Sequence, residues 1–162
     1  MDKKIKLALK VLGLNAILLI YISNRPASDI TQHEDIWMKD FKRASNKARA
    51  ENKLILLYFS GSDWCKPCIR FSREVFDQEE FISYARENLV LLKLDFPRYK
   101  KNRLPKEQVK HNEALAARFN QEGSFPLVLI MDKDENVLMK TGYTDGGVSE
   151  FMVNVKEKMA AF

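Results

Sequence analysis

At 162 residues the chain is of single-domain size, with room for a sizeable core. Apolar content of 46% and charged content of 30% are those of an ordinary globular protein and exclude a low-complexity chain. The net charge of +5 does not mark a nucleic-acid binder: residues 1–26 hold five basic residues and one acidic, a balance of +4, which leaves only +1 for residues 27–162, whereas phosphate-backbone binding draws on a concentrated basic surface.

The N-terminal charge has its own explanation. Lys3, Lys4, Lys6 and Lys10 precede an apolar run over 11–22, interrupted only by Gly13 and Asn15. A basic flank followed by about 7–15 apolar residues has the build of an export signal, and its positive flank stays on the cytoplasmic side. An amphipathic core helix fits less well, because residues 17–22 leave no polar face. Residues 1–26 are therefore read as a signal peptide or an N-terminal membrane anchor. The stretch lacks a clean small-residue cleavage site, and it is short for a full span of about 20 residues. Residues 27–35 are read as a linker and 36–162 as one domain outside the cytoplasm.

Trp37, Phe41, Ala44 and Ala48 are spaced four, three and four apart, which predicts one helix with these residues on its inner face. Lys39, Lys42, Arg43 and Lys47 fall on its solvated sides. Residues 54–59 are fully apolar and end in Tyr-Phe, predicting a buried strand. The strand runs into the turn Ser60-Gly61-Ser62-Asp63, after which one helix is expected from Cys65 to about Val75. A second helical piece covers 77–87 with Phe81 and Tyr84, and 90–95 is another buried strand. Residues 96–106 form a loop with Pro97, Pro105 and five cations, Arg98, Lys100, Lys101, Arg103 and Lys106. Such a loop can dock an acidic partner, but it is read here as a solvated insertion. A helix over 107–119, with Val109, Leu115 and Phe119 inward, precedes strand 127–131, turn 132–136 and strand 137–141, a hairpin pattern. Gly146-Gly147 breaks the chain before a last helix over 148–159, with Phe151, Val155 and Met159 on one face. This order predicts an α/β fold with a central mixed β-sheet flanked by helices on both faces.

The chain has two cysteines, Cys65 and Cys68, in the run Trp64-Cys65-Lys66-Pro67-Cys68. That spacing reads as a redox motif. Only a thiolate attacks a disulfide, and an unperturbed cysteine is mostly thiol near neutral pH. A cysteine at a helix start meets unpaired backbone N–H groups that favour negative charge, so Cys65 is expected to be the nucleophile. Cys68, one turn later, can reach back and release the partner from a mixed disulfide. Pro67 fits the first helical turn, where its missing N–H is not needed. Lys66, Arg70 and Arg73 are positive neighbours that can support the thiolate or simply be solvated. A purely structural disulfide is weaker as a reading, because so short a loop constrains the unfolded chain little. A metal site is weaker still: zinc takes four ligands and only His33 and His111 remain, each read as a surface or capping residue.

These residues resemble the thioredoxin superfamily: the strand over 54–59, Trp64-Cys65-Lys66-Pro67-Cys68, and Gly123-Ser124-Phe125-Pro126 leading into the strand over 127–131. Within it, residues 71–76, 81–95 and 112–119 are similar to the group that includes the C-terminal periplasmic domain of DsbD-type reductant conductors. The resemblance covers about residues 36–160 and implies a thioredoxin-like domain with a cis-proline at Pro126 facing the cysteines. It also implies that Phe125 offers its backbone to the substrate chain. Two departures stand out. The buried acid that thioredoxins often carry on the first central strand falls at Tyr58 or Phe59, neither an acid, and the glutamate that DsbD-type domains place after the cysteines falls at Ser72. Glu74 is close by but is expected to point elsewhere, and Asp63 is expected to be exposed.

The resulting expectation is a thiol–disulfide oxidoreductase, working as an extracytoplasmic disulfide reductase. Cys65 and Cys68 are its catalytic pair, Trp64, Phe125 and Pro126 contact substrate, and Lys66 and Pro67 support the motif. No metal or organic cofactor is implied. The expected partners are disulfide-bonded proteins and a membrane electron donor, not nucleic acid, and the protein is expected to be a monomer in the periplasm or anchored on the outer side of the inner membrane. A disulfide oxidase or isomerase of the same fold is the nearest alternative, and a redox-inert binding module with a structural disulfide is another.

Overall fold

Side chains along a strand point alternately to its two faces, so a strand apolar at every position belongs between two layers. β2 (Leu54–Ser60) is such a strand, buried from Ile55 to Ser60. The computed structural model describes residues 36–159. The signal or anchor reading of 1–26, the linker reading of 27–35 and His33 lie outside the described residues, and so does the Met159 side chain.

Five strands form one sheet in the order β1-β3-β2-β4-β5: β1 (Trp37–Met38), β2, β3 (Leu89–Asp95), β4 (Leu127–Met131) and β5 (Val137–Thr141). β1, β3 and β2 run parallel, while β4 is antiparallel to β2 and to β5. The helices are α1 (Phe41–Glu51), α2 (Lys66–Phe71), α3 (Glu79–Asn88), α4 (Lys106–Phe119) and α5 (Gly147–Met159). One face of the sheet presents Leu56, Tyr58, Leu91, Val128 and Ile130 to an aromatic layer of Phe71, Phe76, Phe81 and Phe151. The other presents Ile55, Leu57, Phe59, Leu92 and Leu129 to Phe41, Ala44 and Ala48 of α1 and Leu115 of α4.

The expected helix through Trp37 is corrected. Trp37 and Met38 instead pair in parallel with Leu91 and Leu92. Asp40 then caps α1, its carboxylate accepting from the Arg43 N–H at 2.7 Å, which satisfies an orphan donor of the first turn. The regular apolar spacing ran across that boundary. Trp37 serves the opposite layer, edge-on to Phe76 at 5.2 Å between ring centres. A second difference lies after the cysteines. α2 ends at Phe71, and Ser72–Phe76 follows as a wider π-helical stretch, closed by the Asp77 N–H on the Ser72 carbonyl at 2.8 Å. Val109 and Phe119, expected inward on α4, are only half-buried.

His111 has a capping role. Its Nε2 accepts from the Phe41 N–H at 3.1 Å, which leaves Nδ1 to carry the proton toward Asn112 Oδ1 at 3.0 Å. Buried Asn112 in turn donates to the Asp95 carbonyl at 2.8 Å. This chain of bonds ties α4 to the start of α1 and to the end of β3.

Phe76 stacks on Phe71 at 4.5 Å and lies 4.9 Å from Tyr58, between ring centres. Phe76→Ala is expected to lower stability by about 3–5 kcal/mol, read from urea denaturation of the oxidised protein.

Candidate functional site

The turn after β2 is built around a close approach. Any side chain at Gly61 would run into the Trp64 indole, so glycine is needed there. The Gly61 carbonyl accepts from the Cys65 N–H at 2.9 Å. Cys65 then stands as the N-cap of α2, with extended backbone and its Sγ accepting from the Cys68 N–H at 3.2 Å. Pro67 lies in the first turn, where no donor is lost. Cys65 and Cys68 are joined by a disulfide, their Cα atoms 5.2 Å apart. Cys65 is 4% exposed and Cys68 fully buried, so of the two cysteines the one with any surface is the one at the helix start.

The structure brings Trp64, Cys65, Cys68 and Phe125 into one cluster. Trp64 and Phe125 meet edge to face at 5.5 Å, and Phe96 joins Phe125 at 5.3 Å. The Phe125–Pro126 peptide bond is cis, directly before β4. The loop leading to it is held by Asn120, which donates to the Ser124 carbonyl and accepts from the Ser124 N–H, both at 2.8 Å. Gly123, at φ 65°, supplies the left-handed backbone this loop requires. Lys66 and Pro67 are exposed beside the pair, and Pro126 is half-buried.

Register decides the open choice between Tyr58 and Phe59. Tyr58 lies in the same layer as Cys68, whereas Phe59 faces α1 on the other side of the sheet. The Tyr58 hydroxyl donates to the Cys68 carbonyl at 3.1 Å. Burial pushes its phenol above the ordinary value, so it remains a neutral O–H donor under the disulfide. The position that carries a carboxylate in many thioredoxins is here a hydrogen-bond donor that anchors the Cys68 backbone.

Arg70 and Arg73 are not free to support a thiolate. Both bond Glu74 at 3.2 Å, and Arg70 also reaches Asp145 at 3.3 Å. The Tyr143 hydroxyl donates to Glu74 at 2.5 Å. That bond, with the two guanidiniums, holds the Glu74 carboxyl down to about 2, and the same bond pushes the Tyr143 phenol up to about 12. Glu74 is thus engaged by Tyr143 and by both arginines.

The 96–106 loop is exposed over most of its length, as expected, but it is also tied to the cysteine turn. Asp63, expected to be exposed, accepts from the Arg98 N–H at 2.9 Å, the Tyr99 N–H at 3.0 Å and the Asn102 side chain at 2.9 Å. The Trp64 indole N–H donates to the Phe96 carbonyl at 2.7 Å, and the Arg98 guanidinium lies 3.6 Å from the centre of the Trp64 ring, a cation–π contact. Ser62 adds two bonds to the Asp95 carboxylate, 2.9 Å from its N–H and 2.6 Å from its hydroxyl. Asp63, Phe96 and Arg98 are site residues that local patterns missed. An acid two residues ahead of the first cysteine was the available signal, but its partners lie 35 to 39 residues away.

Tyr58→Phe removes one donor from a buried carbonyl. A loss of about 1 kcal/mol in stability is expected, together with slower closure of the disulfide by Cys68, read by stopped-flow thiol exchange. Glu74 gives a pH signature. Its folded value lies below the unfolded one, so its contribution is complete above the unfolded value near 4.5 and is lost as pH falls toward about 2. The stability difference between wild type and Glu74→Gln, from urea midpoints, is expected to be larger at pH 7 than at pH 2.5.

A thioredoxin-like family model matches residues 36–133. The chain is 31% identical over 121 residues to the disulfide bond reductase DsbH of Chlamydia pneumoniae, covering 75% of this chain and 71% of that protein. It is 28% identical over 140 residues to the thioredoxin-related protein DsbJ of the same organism, covering 83% of this chain but only 39% of DsbJ. A solved DsbH oxidoreductase superposes with a TM-score of 0.70 at 30% identity, over 76% of this chain and 83% of that one. The disulphide isomerase of Xylella fastidiosa shares the fold, with a TM-score of 0.54 at 18% identity over 77% of this chain and 94% of that one. With its paired Cys65 and Cys68 at the start of a helix, the chain belongs to the thioredoxin-like family and is a thiol–disulfide oxidoreductase.

Proposed function

We propose that this oxidoreductase works as a disulfide reductase outside the cytoplasm, with Cys65 as nucleophile and Cys68 as resolving cysteine. The observation that carries the assignment is the Cys68 N–H aimed at Cys65 Sγ at 3.2 Å. Once the pair is reduced, that donor and the open helix start stabilise negative charge on Cys65. The small exposure of Cys65 against the full burial of Cys68 supports the same order of events.

The Cys65 thiolate attacks one sulfur of the substrate disulfide. A Cys65–substrate bond forms, the substrate S–S bond breaks, and the first substrate thiolate leaves and takes a proton. Cys68, having given up its own proton, attacks Cys65 Sγ and releases the second substrate thiol. Two electrons pass to the substrate, and the protein is left as the disulfide seen here. Trp64, Phe125 and Pro126 form the contact surface, with the Phe125 backbone offered to the substrate chain, and Lys66 and Pro67 shape the turn. A membrane-embedded reductant conductor then restores the dithiol. Residues 1–26 direct export or hold the protein to the membrane, residues 27–35 link them to the domain, and the protein acts as a monomer. Among the described residues, no helix is long and apolar enough to cross a membrane.

The reductase direction is supported by similarity to a relative named disulfide bond reductase. Redox couples of this fold span about 150 mV, so the potential is decisive. Titration against glutathione is expected to place the pair near the thioredoxin end, about −270 mV. A value near −120 mV, that of a strong oxidant, would reverse the direction. Cys68→Ala is expected to trap substrates on Cys65, seen as adducts on non-reducing gels. Trapping on Cys68 in the Cys65→Ala protein instead would exchange the two roles.

A further inference from the structure

Charge in this chain is segregated. Residues 96–110 hold six basic residues and one acidic, a balance of +5, whereas residues 27–162 as a whole are +1, so the rest of that stretch sums to −4. The fold carries the basic segment to Trp64, the residue before Cys65. A groove of about 730 Å³ opens beside Trp64 and Phe125, and Arg98, Arg103, Lys106 and Lys110 line it. Among the described residues, none of these four cations is in an ion pair.

Two carboxylates also line the groove, Asp95 and Glu113. Asp95 is engaged by Ser62 through its N–H and hydroxyl. Asp63 is turned to the loop's own amides. The lining therefore keeps an excess of two positive charges, on a wall fixed by Asp63 and by the Trp64–Phe96 bond. Leu104 and Val109 add to the apolar floor that Trp64 and Phe125 begin. An apolar floor with a cationic rim suits an extended chain whose side chains alternate between apolar and acidic. The volume falls in the range of true ligand sites, about 300–1,000 Å³, which is more than a single small anion requires.

We propose, building on the reductase reading above, that this groove binds the substrate polypeptide next to its disulfide and selects segments bearing Asp or Glu. The exchange itself is the one already written, and the cations act on encounter and alignment.

The test uses the reduced full-length protein and three synthetic peptides. Each has one intramolecular disulfide, and they differ only in flanking positions filled with Glu, Gln or Lys. At low salt the Glu peptide is expected to oxidise the protein about tenfold faster than the Lys peptide, with the ratio shrinking toward one as salt rises. In the variant R103E/K106E/K110E the Glu-to-Lys ratio is expected to invert. A ratio taken within each protein cancels any general loss of activity, and the salt dependence of the wild type stands without the variant. Equal rates for the three peptides at low salt, or a ratio unchanged by the variant, would overturn the proposal. Oxidised glutathione reacting as fast as the Glu peptide would also overturn it, by assigning the groove to a small anionic disulfide. An uncharged small disulfide run in parallel separates the two readings: if it too is left unreduced, the reductase reading has failed and the substrate class falls with it.

Discussion

The parallel pairing of β2 with β3 organises the active end of the molecule. Its register runs without a slip from Leu54 opposite Leu89 to Ser60 opposite Asp95, so both strands finish at the same level. The segments that leave them must emerge side by side. One is the turn that carries Trp64 and the two cysteines, and the other is the basic loop that begins at Phe96. Backbone pairing continues past the sheet through the Phe96 N–H on the Ser60 carbonyl at 2.8 Å. Side chains then take over, as Ser62, Asp63 and Trp64 each bond the neighbouring segment. Ligand sites of open α/β sheets lie at the carboxyl ends of parallel strands, and here that rule follows from one register.

The same pairing explains a division of labour between adjacent residues. Tyr58 and Phe59 are neighbours in sequence and stand in opposite layers. Phe59 supplies volume to the layer beneath α1 and stacks on Phe96 at 6.4 Å between ring centres. Tyr58 supplies volume, an aromatic contact to Phe71 at 5.9 Å and a hydrogen bond to the backbone of Cys68. A fully buried phenol with its donor satisfied is a stiff support for the buried cysteine, and burial keeps it uncharged.

Much of this was legible in the sequence because it is local. Apolar runs marked β2, β3 and β4, and the Asp132-to-Asn136 turn marked the hairpin. The Cys65–Cys68 pair announced its own chemistry. What escaped depends on contacts distant in sequence. Trp37 continued a helical spacing, and only pairing with β3 claims it for the sheet. Arg70 and Arg73 are candidates to support the thiolate from the sequence, but both are paired with Glu74, with Tyr143 joining from 69 residues further on. The loop after β3 is solvated, as its composition suggests, but nothing within it names Asp63 as the residue that holds it.

The hold that Asp63 has on this loop is made mainly to main-chain amides, those of Arg98 and Tyr99. A bond to an amide does not depend on which side chain follows it. The residues facing outward from the loop can therefore change over evolutionary time without disturbing its path or the cysteine turn beneath it. Recognition and redox chemistry are mechanically joined yet mutationally separable, so one redox engine can be refitted for new clients by substitutions in a single loop.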